Sequence, residues 1–320
     1  MIKRLTNSPA AFGLIALLVI TALKSPAFYG ASNLRDLALT IAPVLVAAIG
    51  MTLVILLGEI DISIGAQYAI CAILAGISAK AGLPVILVAL IAMAAGAMLG
   101  AVNGVLIAQF RIPSIVVTLA AMMALRDLLR WTTEGAWIQN LPASFQWAGL
   151  GQTGGSILIA VVASIVFAAF VWALQNLRGG RAVYAVGCSP ESARLAGLNP
   201  KSITIAVFAT SGMLAGLAAV LGSLRFTDIQ SGAGVGLEMK VIAAVVVGGA
   251  SIAGGRASLW GTLLGVILMS TIGTSLTYLG IEAFWEKAVQ GAIILAAVIA
   301  NALSVGRPLR TSQSQGGATQ

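Results

Sequence analysis

Residues 84–108 read PVILVALIAMAAGAMLGAVNGVLIA, a run of 25 residues with no charged side chain and Asn103 as its one strongly polar group. As a helix it would be about 37 Å long, more than the roughly 30 Å hydrocarbon thickness of a bilayer. Being apolar all round, it has no face to offer water, so it needs an apolar surrounding on every side. The rest of the chain repeats the pattern. Of 320 residues, 59% are hydrophobic and only 9% charged, where a soluble domain carries about 25%. One core cannot hide that much apolar surface; a bilayer is itself the apolar phase. The fold class that follows is all-α: a polytopic membrane protein of about ten transmembrane helices.

Taking about 20 apolar residues per span, the ten segments are 11–28, 39–57, 64–79, 84–108, 113–129, 156–174, 203–224, 237–250, 259–279 and 284–303. The third and eighth are short and begin in polar or Gly-rich sequence, which suggests broken or partly inserted helices. A single membrane domain covers 1–306, and 307–320 form a polar tail. The N-terminal Met1-Ile-Lys-Arg and the apolar stretch after it imitate a signal peptide, but no small-x-small cleavage site follows, so a retained first span is expected. Ten spans put both ends on one side. The longest connection, 178–201, holds Arg178, Arg181, Arg194 and Lys201 against Glu191 alone, which places that side in the cytoplasm. The formal charge of +8 then reflects this bias and contact with lipid headgroups, not nucleic acid. Cys71 and Cys188 are too isolated to form a disulfide framework.

Glycines four apart, Gly96/Gly100/Gly104, Gly212/Gly216 and Gly261/Gly265, fall on single helix faces and point to close helix packing. A second pattern bears on architecture. Leu57-Gly-Glu59-Ile-Asp61-Ile-Ser63-Ile-Gly65 joins spans two and three, and Arg225-Phe-Thr-Asp228-Ile-Gln-Ser231-Gly232 joins spans seven and eight. The first faces inside and the second outside. Either spans 2–5 and 7–10 are inverted copies, an arrangement that places a solute path at the repeat interface, or a short likeness has arisen by chance.

No catalytic set is visible. Histidine is absent, so a Ser/His/Asp triad is impossible and no metal site can use imidazole. There is no P-loop: the nearest stretch, Gly197-Leu-Asn-Pro-Lys201-Ser202, has proline where glycine is needed. Gly232-Ala-Gly234-Val-Gly236 lacks the strand–helix unit of a dinucleotide site. The chain is expected to bind no cofactor and to draw energy from another subunit or an ion gradient. The acids at helix junctions, Glu59, Asp61, Asp228 and Glu238, with Ser63 and Ser231, are candidates for a translocation path or gate. Capping of the third span's first turn accounts equally for Asp61 and Ser63.

Within the 178–201 connection, Ser189 before Pro190 and Glu191 signals a helix start and Gly197 a stop. The helix between, roughly 190–196, is too short to span. With Ala193 and Ala196 as small apolar residues, it reads as a docking helix better than as a solvated link. Ser189, Pro190, Glu191, Ala193, Arg194, Leu195 and Gly197 are the candidate coupling residues, and Arg194 is either a polar contact or a solvated charge.

Four stretches make the chain resemble the permeases of monosaccharide-type ABC importers, the family of the ribose, xylose, rhamnose and furanosyl autoinducer systems. They are Gly58-Glu59-Ile-Asp61-Ile-Ser63-Ile-Gly65, similar to the family's Gly-Gly-Ile-Asp-Leu-Ser-x-Gly signature with Glu59 in place of its second glycine; Asn103-Gly with Arg111-Ile-Pro113-Ser-Ile-Val-Val-Thr118; 186–198 in the long connection; and Gly236-Leu-Glu238-Met-Lys240 through Gly248-Gly249-Ala-Ser251 to Gly254-Gly255. The resemblance implies a pair of permease subunits, identical or related, in a bacterial inner membrane. It implies two ATP-binding subunits, which carry ATP and Mg, docked on the coupling helices, and a periplasmic binding protein that delivers a sugar-like solute. Trp131 and Trp137 lie after span five, where tryptophan anchors at the interface or packs on a sugar ring; the surrounding stretch is most similar to the rhamnose and autoinducer permeases. An ion-gradient-driven secondary transporter is the alternative, disfavoured by sparse intramembrane charge. A structural or receptor-like membrane protein is disfavoured by the broken helices.

Overall fold

The computed structural model describes residues 9–282, 285–293 and 295. The described residues fold into α-helices joined by turns and loops: α1 (Pro9–Lys24), α2 (Ala31–Leu56), α3 (Ile64–Lys80), α4 (Val85–Phe110), α5 (Ser114–Thr133), α6 (Gly151–Asn176), α7 (Arg178–Cys188), α8 (Pro190–Leu195), α9 (Pro200–Ser223), α10 (Leu237–Val247) and α11 (Leu259–Tyr278). Residues 285–293 are also helical. Each predicted span coincides with a helix over its described part; the rest of the tenth span and the 307–320 tail lie outside the described residues. Five helices, α2, α4, α6, α9 and α11, are long and apolar enough to cross a membrane by themselves. At 11 residues, α10 is only about 16 Å long, so the eighth span is a half-helix, as its sequence suggested.

The second span begins eight residues earlier than its apolar window, at Ala31 instead of position 39. The extra turns carry Arg35, which bonds to the Ser156 hydroxyl and the Gln152 carbonyl of α6 at 2.8 Å each. Once partnered, a charged side chain no longer ends a helix at the edge of its hydrophobic stretch.

Helix α2 forms the centre: every residue from Val44 to Leu56 is buried. Around it, α9 packs along α4 through glycine. A Cβ on Gly96 would run into the Gly212 carbonyl and one on Gly212 into the Gly96 carbonyl; Gly100 and Gly104 press on Phe208 and Ile205 in the same way, and Gly216 on Ala92. Gly261 and Gly265 on α11 similarly meet Gly248 and Ala244 at the end of α10. These are the glycines whose four-residue spacing pointed to packing. Without a hydrophobic drive between helices in lipid, such close approach supplies the dispersion contacts that hold them together.

The packing of the two halves is exchanged. α3 lies on α4 as α10 lies on α11; α4 lies on α9 as α11 lies on α2; α3 lies on α9 as α10 lies on α2. The outer surfaces of α4 and α6 carry exposed Ile86, Met98, Phe110, Ile165 and Trp172. A water-exposed apolar surface of this extent is untenable for a soluble monomer, and a lipid surrounding satisfies it.

Candidate functional site

The chain leaves helical geometry between Leu57 and Ser63, turning at Gly58 with φ +81°. What holds this break is a polar cluster sealed inside the bundle. Asp61 Oδ1 accepts from the Ser63 backbone N–H at 2.9 Å and from the Ser63 hydroxyl at 2.5 Å. Asp61 Oδ2 accepts from Gln67 Nε2 at 3.1 Å. The Ser63 oxygen in turn accepts from Gln67 Nε2 and from Asn103 Nδ2, both at 2.8 Å. Asp61, Ser63 and Gln67 are fully buried and Asn103 nearly so. Asp61 therefore closes a turn onto Ser63, the residue before α3, and neither side chain caps the N–H groups inside that helix's first turn. The Ser63 hydroxyl is instead the hub that ties α3 to α4.

Two residues further, in its first turn, α3 meets the other half of the chain. Gly65 and Gly234 are pressed together so closely that a Cβ on either would sit 2.5 Å from the other's carbonyl oxygen. Beside them, Glu238 in the first turn of α10 is paired with Arg126 of α5 at 3.4 Å, with side-chain exposures of 12% and 19%. Arg126 also donates to the Gly234 carbonyl at 3.3 Å, and the Gly236 N–H donates to the other oxygen of Glu238 at 3.2 Å. The Glu238 carboxylate thus faces a guanidinium and the starts of two helices, α3 and α10, whose N-terminal ends carry partial positive charge. Next to this seam lies a cavity of about 970 Å³, lined among others by Pro43, Tyr68, Glu238, Lys240 and Glu286. That is at the upper end for a small-molecule site.

The 178–201 connection builds one face of the molecule. α8 has the expected start and stop: the Ser189 hydroxyl accepts from the Ser192 N–H at 3.2 Å, and Gly197 turns the chain with φ +83°. Ala193 is buried while Leu195 is 82% exposed. Before it, α7 is a helix the sequence reading left as a connector. Its Gly179, Gly180 and Gly187 mask it, but Val183 and Val186 are buried one turn apart. The Tyr184 hydroxyl donates to the Ala257 carbonyl at 3.1 Å, and burial raises that phenol's pKa, keeping it a neutral donor. Gly187 packs on the Leu56 carbonyl, which also accepts from the Gly255 N–H at 2.9 Å. A groove of about 730 Å³ on this face is bordered by Glu59, Arg111, Pro113, Glu191, Arg194 and Lys201.

Against models of known protein families, residues 33–298 match the family described as "Branched-chain amino acid transport system / permease component". The chain belongs to this permease family. Among curated relatives, it is 35% identical over 294 residues to a ribose import permease protein of Escherichia coli, covering 89% of this chain and 91% of the relative. It is 36% identical over 308 residues to a probable ABC transporter permease protein of the same organism, covering 96% and 92%. An autoinducer 2 import system permease protein of Photorhabdus luminescens is 32% identical over 308 residues, covering 93% and 91%. No solved structure matches.

In this permease the six path candidates separate into distinct places. Glu59 borders the groove on the α7–α8 face. Asp61 and Ser63 belong to the buried cluster. Asp228 accepts from the Asn140 N–H at 3.0 Å and Ser231 donates to the Gly135 carbonyl at 3.1 Å; together with the Ile138–Ile229 bridge they fasten the 134–141 and 227–231 loops on the opposite face. Glu238 alone lies at the seam. The sequence reading missed Gln67 and Arg126. Arg126 had a signal, a lone inward-facing arginine in a span whose neighbouring charges, Asp127 and Arg130, are exposed.

Proposed function

We propose that this permease is the membrane-spanning subunit of an ATP-driven importer for a monosaccharide or a related polyol-like solute. Rhamnose or another sugar is favoured, and a furanosyl autoinducer fits the same class. The observation that carries the reading is α8: a capped, six-residue helix that buries one small side chain and projects Leu195 into solvent beside Glu191 and Arg194. A bare apolar side chain ringed by charge on a rigid element is the form of a docking contact. With no P-loop in the chain, ATP hydrolysis falls to separate ATP-binding subunits that seat on this face, which is then cytoplasmic. The cavity beside the seam supplies the solute path. Delivery is by a periplasmic binding protein, and a second permease subunit completes the pair in the bacterial inner membrane. The names of the ribose and autoinducer 2 relatives support a sugar-like cargo over the amino acids in the family's description.

The test is ATP hydrolysis in proteoliposomes holding this chain, its ATP-binding subunit and its binding protein, challenged with pentoses, rhamnose, furanosyl autoinducer and leucine. Stimulation by one sugar-like solute, lost without this chain, is expected. Stimulation by leucine alone would move the cargo to amino acids. Uptake that follows an imposed H⁺ or Na⁺ gradient without ATP would overturn the importer reading.

A further inference from the structure

We propose that the surface trough between α2 and α6 is a binding site for an anionic glycerophospholipid, with the lipid phosphate on Arg35 and an acyl chain laid along the trough. The inference needs only the membrane setting and is independent of the importer reading. The trough holds about 280 Å³; Arg35, Thr153 and Ser156 line one end, and Ala38, Ile157 and Ala160 the other. Both helices run from the polar end toward the α7–α8 face: α6 leads into α7, and the last residue of α2, Leu56, meets Gly187. The polar side chains therefore lie at the membrane edge and the apolar ones deeper. From Thr153 to Ala160 the trough is about 10 Å long, and Arg35 stands about 6 Å above position 39, where the apolar run of α2 begins. That is the level of the lipid headgroups.

Arg35 brings a charge to this edge that the protein does not neutralise. Its Nε and Nη2 donate to the Ser156 hydroxyl at 3.1 and 2.8 Å, and Nη2 donates also to the Gln152 carbonyl at 2.8 Å. These neutral acceptors fix the guanidinium in place, leave its charge uncompensated and do not use Nη1. The adjacent acid, Asp36, pairs instead with Arg225 at 3.8 Å, and no carboxylate pairs with Arg35 among the described residues. A lone guanidinium at the edge of a bilayer calls for a counter-anion, and phosphate is the anion its N–H fork matches. The other end of the trough calls for hydrocarbon. Ile157 is 59% exposed, Ala38 and Ala160 are exposed, and α6 is buried over little of its length. A free phosphate would leave the apolar end unfilled, and an uncharged lipid would leave Arg35 bare; an anionic phospholipid answers both.

The full chain, purified in detergent and stripped of lipid, is titrated separately with phosphatidylglycerol, diacylglycerol and glycerol 3-phosphate, and native mass spectrometry reads the dissociation constant of the first molecule bound. Phosphatidylglycerol is expected to bind most tightly, and about tenfold more weakly to Arg35→Gln, the size of one charge-assisted contact. Because Arg35 also ties α2 to α6, Ala160→Leu supplies a second reading: it fills the trough, leaves the Arg35 bonds in place and should weaken binding by a similar factor. Ala168→Leu, the same change two turns deeper on the exposed surface of α6, should leave the affinity at the wild-type value. The site is overturned if Arg35→Gln or Ala160→Leu binds phosphatidylglycerol as tightly as wild type. It is overturned equally if diacylglycerol or glycerol 3-phosphate binds as tightly as phosphatidylglycerol, or if Ala168→Leu weakens binding as much as Ala160→Leu does.

Discussion

Ser63 carries more of the site than its size suggests. Its hydroxyl gives one hydrogen bond to Asp61 and takes two, from Gln67 and Asn103, which uses all its capacity. Ser63→Ala leaves Asn103 Nδ2 without its bond and weakens two others in a place water does not reach. With about 1–3 kcal/mol for each buried polar group left unpaired, a loss on the order of 3 kcal/mol is expected, read as a fall in the thermal melting point of the purified chain in detergent. Asn103→Ala removes one bond and leaves Ser63 its two others, so its cost should be nearer 1 kcal/mol; the reverse ranking would remove Ser63 from the hub. At this scale the sequence showed half of the cluster. Asp61 and Ser63 are visible because they sit in a short helix-breaking stretch between apolar runs. Asn103 lies 40 residues from Ser63 and Arg126 lies 112 from Glu238, and no local pattern encodes pairing over such distances. Glu59 shares a motif with Asp61, yet the turn at Gly58 sends it to the opposite side of the break, onto the α7–α8 face.

At the scale of elements, two helix contacts invite substitution. Gly212 of α9 is pressed on Gly96 of α4, and a side chain there would also meet Gln67 Oε1. Gly212→Val forces the two backbones apart and should cost about 1–3 kcal/mol through overpacking. Gly179 in α7 has nothing within 4 Å of its absent Cβ, so Gly179→Ala should be neutral or stabilising by up to about 1 kcal/mol. Thermal melting of both variants checks the contrast; equal destabilisation would mean that the α4–α9 approach is not as close as described. On α8, Leu195→Asp changes a side chain with no packing role. Co-purification of the ATP-binding subunit is expected to fall about tenfold with an unchanged melting point, and Arg194→Glu should act in the same direction. Normal recovery with both variants would move the docking contact off this helix. Apolar length made the long helices legible, and cap chemistry made α8 legible to within a residue. α7 was hidden because three glycines lower its propensity, and only contact with Ala257 and α2 shows why it is a helix at all.

At the scale of the whole molecule, the two acid-bearing breaks were similar in sequence for only a few residues, which left an inverted repeat and coincidence equally open. The helix packing carries more information, since packing is set by three-dimensional complementarity that different sequences satisfy equally well. Exchange of partners between the halves places the Gly65–Gly234 contact where the two breaks meet. Inverted halves also fix a consequence for sidedness: the break at 57–63 and the loop at 251–255 must share the α7–α8 face, and they do, through Gly58, Gly254 and Leu56. The basic residues of 178–201 are the ground for the proposal that this face is cytoplasmic. The chain's own two cysteines test this without any substitution. Cys188 is exposed at the end of α7, and Cys71 is buried. A membrane-impermeant maleimide should label Cys188 in inside-out vesicles and leave it untouched in right-side-out ones, while Cys71 reacts in neither until the protein is unfolded. Labelling of Cys188 from the outside would reverse the orientation and remove the ATP-binding subunit from α8. Labelling of native Cys71 would show that the α3–α4–α9 packing around Gly96 opens to water, which the close glycine contacts there do not allow.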